Sequence, residues 1–459
     1  PGFTPNRVKK VHSLYGQASL SFRRMIYLDV TGRNDWSSTL PEDEWSYFYP
    51  SASLSFLLNE LIGIQGNILN YSKLRFSWAQ VGNDTDAYLL DNSFNLRGST
   101  ASYLGLTILT RPGTYYEPIR PEEATSIEGG LELSLLNNRM YVDFSAYQIT
   151  SRDLIMTIPV PAATGYSSFH TNVGEITNKG MEFLIGGFPV RTQDFTWDIS
   201  LNLARNKNEL VELIEDLSTY TFSTTNAGNI IVQATVGGEY GEIWGQDIKR
   251  TPSGDLWLDA TGRPQADEEF VLLGNYQPDW TGGLMNSFSW KGLTLSALID
   301  FRFGGEVYSG TDAGLDGTGT SERTLEYREG ITVDGMVNTG TPEDPVFEAN
   351  TLQITGQDYW GSMSGIAANY IYSQSNIRLR ELTLVYRLPG DILGESFVKG
   401  ISLGVVARNL GFLYKDIENF DPESSYSTSN YAQGLLSVSY THLTLPTACR
   451  VGGGGGGGG

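Results

Sequence analysis

Cysteine is almost missing from this chain: 459 residues hold a single one, Cys449, and only three histidines, His12, His170 and His442. A disulfide framework needs pairs, and a thiolate or imidazole metal centre needs ligands at short spacing, so neither is expected. Basic residues are also scarce, with 31 Lys and Arg against 52 Asp and Glu and a formal net charge of −21. That balance argues against nucleic acid as a partner. No run of 18 apolar residues exists to make a membrane helix. Phosphate-cradling Gly loops, HExxH and GxSxG are absent as well. No catalytic residue, cofactor-binding site or metal site is therefore assigned, and the chain does not read as an enzyme.

What is present is a repeating alternation. Phe195, Trp197, Ile199, Leu201 and Leu203 interleave with Thr196, Asp198, Ser200, Asn202 and Ala204. A strand with Trp and Leu on one face and Asp and Asn on the other sits between two solvents. Leu293, Leu295, Ala297, Ile299 and Phe301 repeat the pattern, as do Met140, Val142, Phe144 and Ala146, and Leu74, Phe76 and Trp78. Ten or so residues per segment suits a tilted strand crossing a bilayer. Lipid outside and water inside demand this chemistry, and 53 Gly, 25 Tyr, 20 Phe and 9 Trp fit it. The expected fold is all-β, an antiparallel transmembrane β-barrel.

Connections alternate too. Tight turns are expected at Arg23-Arg24, Asn137-Asn138, Thr192-Gln193 and Lys291-Gly292, and long excursions over 81–120, 151–178 and 304–376. Bacterial barrels place short turns on the periplasmic side and long loops outside. Residues 240–273 read equally as an extra pair of crossings or as an extracellular hairpin. Asn178 and Gly180 read as turn residues before the strand of Met181, Phe183 and Ile185. Arg378 and Arg380 share the strand face of Leu382 and Leu384, which places them near a strand end reaching head groups.

Several longer segments carry a resemblance. GRNDWSSTLP (32–41) with SYFYPSASLSF (46–56), KLRFSWAQVGN (73–83) and EPIRPEEATSIEGGLEL (117–133) come first. TGYSSFHTNVGEITNKGMEF (164–183), GNYQPDWTGGLMNSFSWKGLTLS (274–296), SNIRLRELTLVYRLP (375–389) and ARNLGFLYKDIENFDPES (407–424) follow in order. Together they resemble the SusC/RagA family of TonB-dependent outer-membrane transporters and cover nearly all of 1–434. The resemblance implies a barrel of about 22 strands around a plug domain, a bacterial outer-membrane location, and drive from a TonB-ExbB-ExbD complex. It also implies a SusD-like lipoprotein lid, outer-membrane lipid around the wall, and uptake of a glycan or peptide substrate.

Against that family, residues 1–434 are expected to be the C-terminal part of the barrel, a partial barrel of about 12–14 of the 22 strands with the plug domain absent. The first strand, near 13–22, and the last, near 401–410, would then be open edges, so an open curved sheet is expected rather than a seam between them. Residues 435–459, ending in eight glycines, resemble translated sequencing-adapter read-through and are expected to be non-native.

Aromatic faces are what sugars and peptides stack upon. The loop 304–376 is rich in them, and Tyr308, Tyr359, Trp360, Tyr370 and Tyr372, with Tyr327 close in sequence, form the expected substrate or lid contact; loop self-packing is the plainer reading. The acidic groups Asp259, Asp267, Glu268, Glu269 and Asn83, Asp84, Asp86 lack ordered calcium-loop spacing and read as solvated loops. A passive porin-like barrel is the alternative function; it would fit the alternation but should lack the ordered segments above.

Overall fold

The computed structural model describes residues 7–63, 66–89, 95–98, 107–110, 114–116, 119–164, 166, 168–214, 217–224, 229–341, 344–389, 400–424 and 435–436. Of the segment expected to be non-native, all but Leu435–Leu436 lies outside the described residues. Twelve strands make one sheet: β1 (Val11–Phe22), β2 (Ile26–Ser37), β3 (Ser46–Leu57), β4 (Leu69–Asn83), β5 (Glu122–Leu135) and β6 (Met140–Arg152). They continue as β7 (Glu175–Arg191), β8 (Phe195–Glu212), β9 (Trp280–Trp290), β10 (Leu293–Phe303), β11 (Asn376–Arg387) and β12 (Ser402–Lys415). Each strand is bonded to its neighbour in sequence, and β1 and β12 are the two ends of the order. The linear order agrees with the expected open edges, and twelve strands fall within the expected count.

The chain forms two compact units, residues 1–187 with 206–220, and residues 188–205 with 221–459. In the first, a short helix, α1 (Leu58–Ile62), follows β3, and tight turns join β1 to β2 and β5 to β6. Arg23 and Arg24, then Leu136, Asn137 and Asn138, adopt positive φ, the backbone that closes such hairpins with the twist of the flanking strands. Arg75 on β4 lies opposite Gly130 on β5. A Cβ at Gly130 would sit 2.4 Å from the Arg75 guanidinium, so its absence lets Arg75 cross β5 to make a bidentate pair with Asp143 on β6, at 2.8 and 3.1 Å. Asn178 and Gly180 are not turn residues. The β6–β7 ladder runs out to Arg152 and Glu175, tied by a 2.7 Å ion pair, and places both residues inside β7. The chain instead reverses direction between Asp153 (φ 52°) and Gly174 (φ 82°).

In the second unit, β8 pairs directly with β9. Residues 240–273 therefore supply no extra crossing; with Thr219–Thr224, Ile230–Thr235 and 274–275 they carry a separate four-stranded sheet. A Lys291-Gly292 turn with positive φ at both residues joins β9 to β10, and three residues, 192–194, join β7 to β8. The polar face is hydrogen-bonded from strand to strand, as between Ser287 and Ser296 (2.9 Å) and Ser289 and Thr294 (3.0 Å). The opposite face leaves Leu295, Leu384, Leu403 and Val405 substantially exposed, as a lipid-facing wall requires.

Arg378 and Arg380 depart from the expected placement. The ladder of β10 with β11 passes from Leu298↔Glu381 to Ile299↔Leu379, leaving Arg380 as an extra residue. Such a bulge resets the alternation, so Arg378 lies opposite Asp300 rather than on the face of Leu382. Arg378 pairs with Asp421 (3.2 Å) and Glu423 (2.8 Å), and Arg380 with Glu423 (2.6 Å) and Asp300. Their role is to hold the segment after β12 against the polar face, not to reach head groups.

A single sheet between two solvents has no apolar interior of its own. The buried apolar clusters of this unit lie in its long connections: Ile230, Val232, Ile243, Tyr276 and Ala367 form one, and Leu258, Val333 and Ile354 another.

Candidate functional site

Residues 304–376 open with a short strand, Glu306–Ser309, whose last residue caps α2 (Gly310–Gly317). Ser309 accepts the Asp312 amide at 3.1 Å, and Thr355 accepts the Asp358 amide at 3.1 Å to cap α3 (Gly356–Met363). Both caps are Ser or Thr followed three residues later by Asp, which supplies the orphan amides of a helix start. The two helices pack on each other. Gly356 permits close approach to the preceding loop, since a Cβ there would lie 2.3 Å from the Tyr327 carbonyl oxygen.

Asp316, with no exposed surface, organises this region. Its Oδ1 accepts from Ser321 (2.5 Å), and its Oδ2 accepts from Tyr370 (2.9 Å) and from Arg323. Burial pushes the Tyr370 phenol well above its ordinary range, and the bond to Asp316 adds to the shift. For Arg323, burial acts to lower the guanidinium, but Asp316 outweighs it and holds it above the usual value. The Arg323 guanidinium carbon stands 5.3 Å from the Trp360 ring and 5.1 Å from the Tyr370 ring. Tyr327, Tyr359 and Trp360 form a mutual cluster, with centroids 5.1 to 5.9 Å apart.

Of the five residues expected to contact substrate or lid, Tyr359, Trp360 and Tyr370 are brought together around Arg323. Tyr370 is fully buried, so its phenol positions Asp316 and is closed to any ligand in this arrangement. Tyr308 lies apart from them, whereas the Tyr372 phenol is within electrostatic reach of Arg323 although its ring packs elsewhere. Tyr308 packs against the Ile230 and Tyr276 cluster. Tyr372 packs against Val307 and Ile417 and meets Phe420 edge-on at 5.8 Å. Its phenol is pushed up to about 12 by burial and by Asp312.

Beside the aromatic cluster is a cleft of about 640 Å³, walled by Asp316, Thr318, Thr324, Arg328, Gln357 and Trp360 among others. Of these only Trp360 was expected from the sequence. The two capping patterns were legible and would have located both helices, but nothing local marks Arg328 or Gln357.

Of the acidic residues read as solvated loops, Asp86, Glu268 and Glu269 are exposed as expected, but Asp259 and Asp84 are occupied by protein donors. Asp259 accepts from the Thr261 and Arg263 amides at 2.8 and 2.9 Å, and Asp84 pairs with Lys9 while accepting from Ser37 and Thr39. Burial acts to raise the Asp84 carboxyl, but these partners hold it below the ordinary range. No group of three or more His, Cys, Asp or Glu suited to a metal ion occurs among the described residues.

The sequence profile of the family described as TonB dependent receptor-like, beta-barrel matches residues 1–341. The chain belongs to this family. Members are outer-membrane transporters rather than enzymes. TonB-dependent receptor P26 of Formosa agariphila is 27% identical over 467 residues, covering 94% of this chain and 45% of that protein. TonB-dependent receptor SusC of Bacteroides thetaiotaomicron is 24% identical over 436 residues, covering 90% of this chain and 41% of its own length. The receptor chain thus spans less than half the length of these curated relatives. Among solved structures, the RagAB peptide importer in its open-open state superposes with a TM-score of 0.71 at 21% identity, over 93% of this chain and 45% of that one. The fold of this TonB-dependent receptor chain is therefore that of the RagAB transporter barrel, and the SusC/RagA resemblance of its motifs agrees with these relatives.

Proposed function

We propose that this chain is part of the barrel wall of an energised nutrient importer in the bacterial outer membrane. It takes up oligosaccharides, with peptides as the second reading, together with a SusD-like surface lipoprotein and under drive from TonB-ExbB-ExbD. The observation that carries the reading is the twelve-strand antiparallel sheet with one apolar and one polar face, in a chain of TonB-dependent receptor sequence. Motif order across 32–424 supports the SusC/RagA branch, and the peptide reading is favoured by the likeness to the RagAB peptide importer. Residues 1–434 are proposed as receptor barrel, and 435–459 as a non-native tail.

The test is uptake by the source bacterium. Deletion of the gene is expected to abolish accumulation of one labelled oligosaccharide pool, and a TonB deletion is expected to do the same. Uptake that persists without TonB would point to the passive porin-like alternative. Accumulation of labelled peptides in place of sugars would select the second reading.

A further inference from the structure

We propose that the cleft between α2 and α3 is a subsite for the anionic group of an acidic oligosaccharide, whose oxygens are held by the first-turn amides of α3, the Arg328 guanidinium and the Trp360 indole N–H. The proposal rests on the import reading above and narrows its substrate class. At about 640 Å³ the cleft is in the size range of small-ligand sites.

Its lining is rich in unspent donors. Gly356 and Gln357 begin α3, and their amides meet no acceptor among the described residues, while the third, of Asp358, is taken by the Thr355 cap. A helix start with free amides favours negative charge. Trp360, one turn further on and only 9% exposed, lines the same cleft, and its Nε1 has no acceptor among the described residues. A buried donor without a partner favours a ligand that brings an acceptor. Arg328 is exposed and, among the described residues, bonds only the Gly319 carbonyl, at 3.3 Å, leaving most of its planar fork available for an oxyanion.

Competing negative charge is already engaged. Asp316 has both oxygens occupied and lies against Arg323, and Asp358 pairs with Arg263 at 2.5 Å. The remaining walls suit hydroxyl groups. Thr324 donates inward to the Ser321 carbonyl, which leaves its oxygen as an acceptor, and Thr318 donates to the Gly314 carbonyl while its oxygen also meets the Thr320 hydroxyl at 2.9 Å. Among the described lining residues Trp360 alone carries an apolar side chain, so the cleft offers little to an apolar peptide side chain and much to a sugar ring. Carboxylate and sulfate ester share the recognised chemistry.

The experiment is calorimetric titration of the purified full-length receptor in detergent with four probes: a short oligogalacturonate, a sulfated oligosaccharide, a neutral oligosaccharide of equal length, and a short peptide with a free C-terminal carboxylate. One or both acidic sugars are expected to bind at least tenfold more tightly than the neutral one, and the tighter of the two identifies the anion. Arg328→Glu, at an exposed position, is expected to weaken that binding about tenfold or more with an unchanged melting curve. Trp360→Phe is expected to weaken it several-fold while the ring contact with Tyr327 persists. Equal affinity for neutral and acidic sugars, preference for the peptide, or indifference to Arg328→Glu overturns the proposal. The import reading fails separately: acidic sugars that bind the purified receptor through Arg328 but are not accumulated by cells would leave the subsite standing without transport.

Discussion

Asp316 shows how a long surface loop acquires a fixed shape. A carboxylate with no exposed surface is tolerated because Ser321, Arg323 and Tyr370 satisfy it. Tyr370→Phe is expected to cost about 1 kcal/mol, and Asp316→Ala about 2 kcal/mol because Arg323 is partly solvated. Faster amide exchange over 310–325 in both variants, larger for Asp316→Ala, is the check. Glu423 gives a pH dependence. Burial acts to raise its carboxyl, but Arg380 and Arg378 pull it below the ordinary value. A depressed carboxylate contributes its stabilisation in full above the unfolded pKa, about 4.3, and loses it as pH falls through the lower folded value. Exchange protection over 416–424 is therefore expected to fall below about pH 4, and Glu423→Gln is expected to lack that step.

At the scale of elements, a strand pair is as sensitive to what is absent as to what is present. Gly282 on β9 lies opposite Phe301 on β10, and a Cβ there would fall 2.4 Å from both the Asn202 carbonyl oxygen and the Phe301 ring. Gly282→Val is expected to destabilise the β8–β9–β10 ladder by about 1–3 kcal/mol, seen as a lower temperature for loss of the compact electrophoretic form. The bulge at Arg380 is an element-scale device of another kind. One extra residue turns Arg378 toward Asp300 and gives Asp421 and Glu423 a cationic partner, so the segment after β12 docks on the polar face.

For the whole molecule, the two faces of the sheet answer to different solvents. Ile299 lies mid-way along β10 on the apolar face, between Leu284 and Leu379. Ile299→Arg is expected to cost about 2–4 kcal/mol when the full-length receptor folds into lipid vesicles, read as a reduced folded fraction. Ser296→Arg, on the polar face, is expected to leave that fraction nearly unchanged. Apolar packing, in contrast, is concentrated in the connections around Ile230 and Leu258, which fold as small water-exposed structures with buried centres. A ligand-contacting loop needs such a centre of its own, because the wall offers it none.

Period-two alternation is a local property of the backbone, so the sequence alone determined the strands, their faces and most of the hairpin turns. Phe195 to Ala204 sorts its side chains between two solvents whatever lies beyond it. The bulge at Arg380 escaped that reading because it depends on the ladders formed with β10 and β12, and the extension of β7 to Glu175 escaped it because Arg152 had to be its partner. Only the tertiary structure decided the cleft. Asp316 and Tyr370 are 54 residues apart, and Arg263 and Asp358 are 95 apart. Such meetings follow from how entire loops pack rather than from any local preference, which is why three of the five aromatics legible in the sequence gather around Arg323, Tyr372 reaches it only with its phenol, and Tyr308 packs elsewhere.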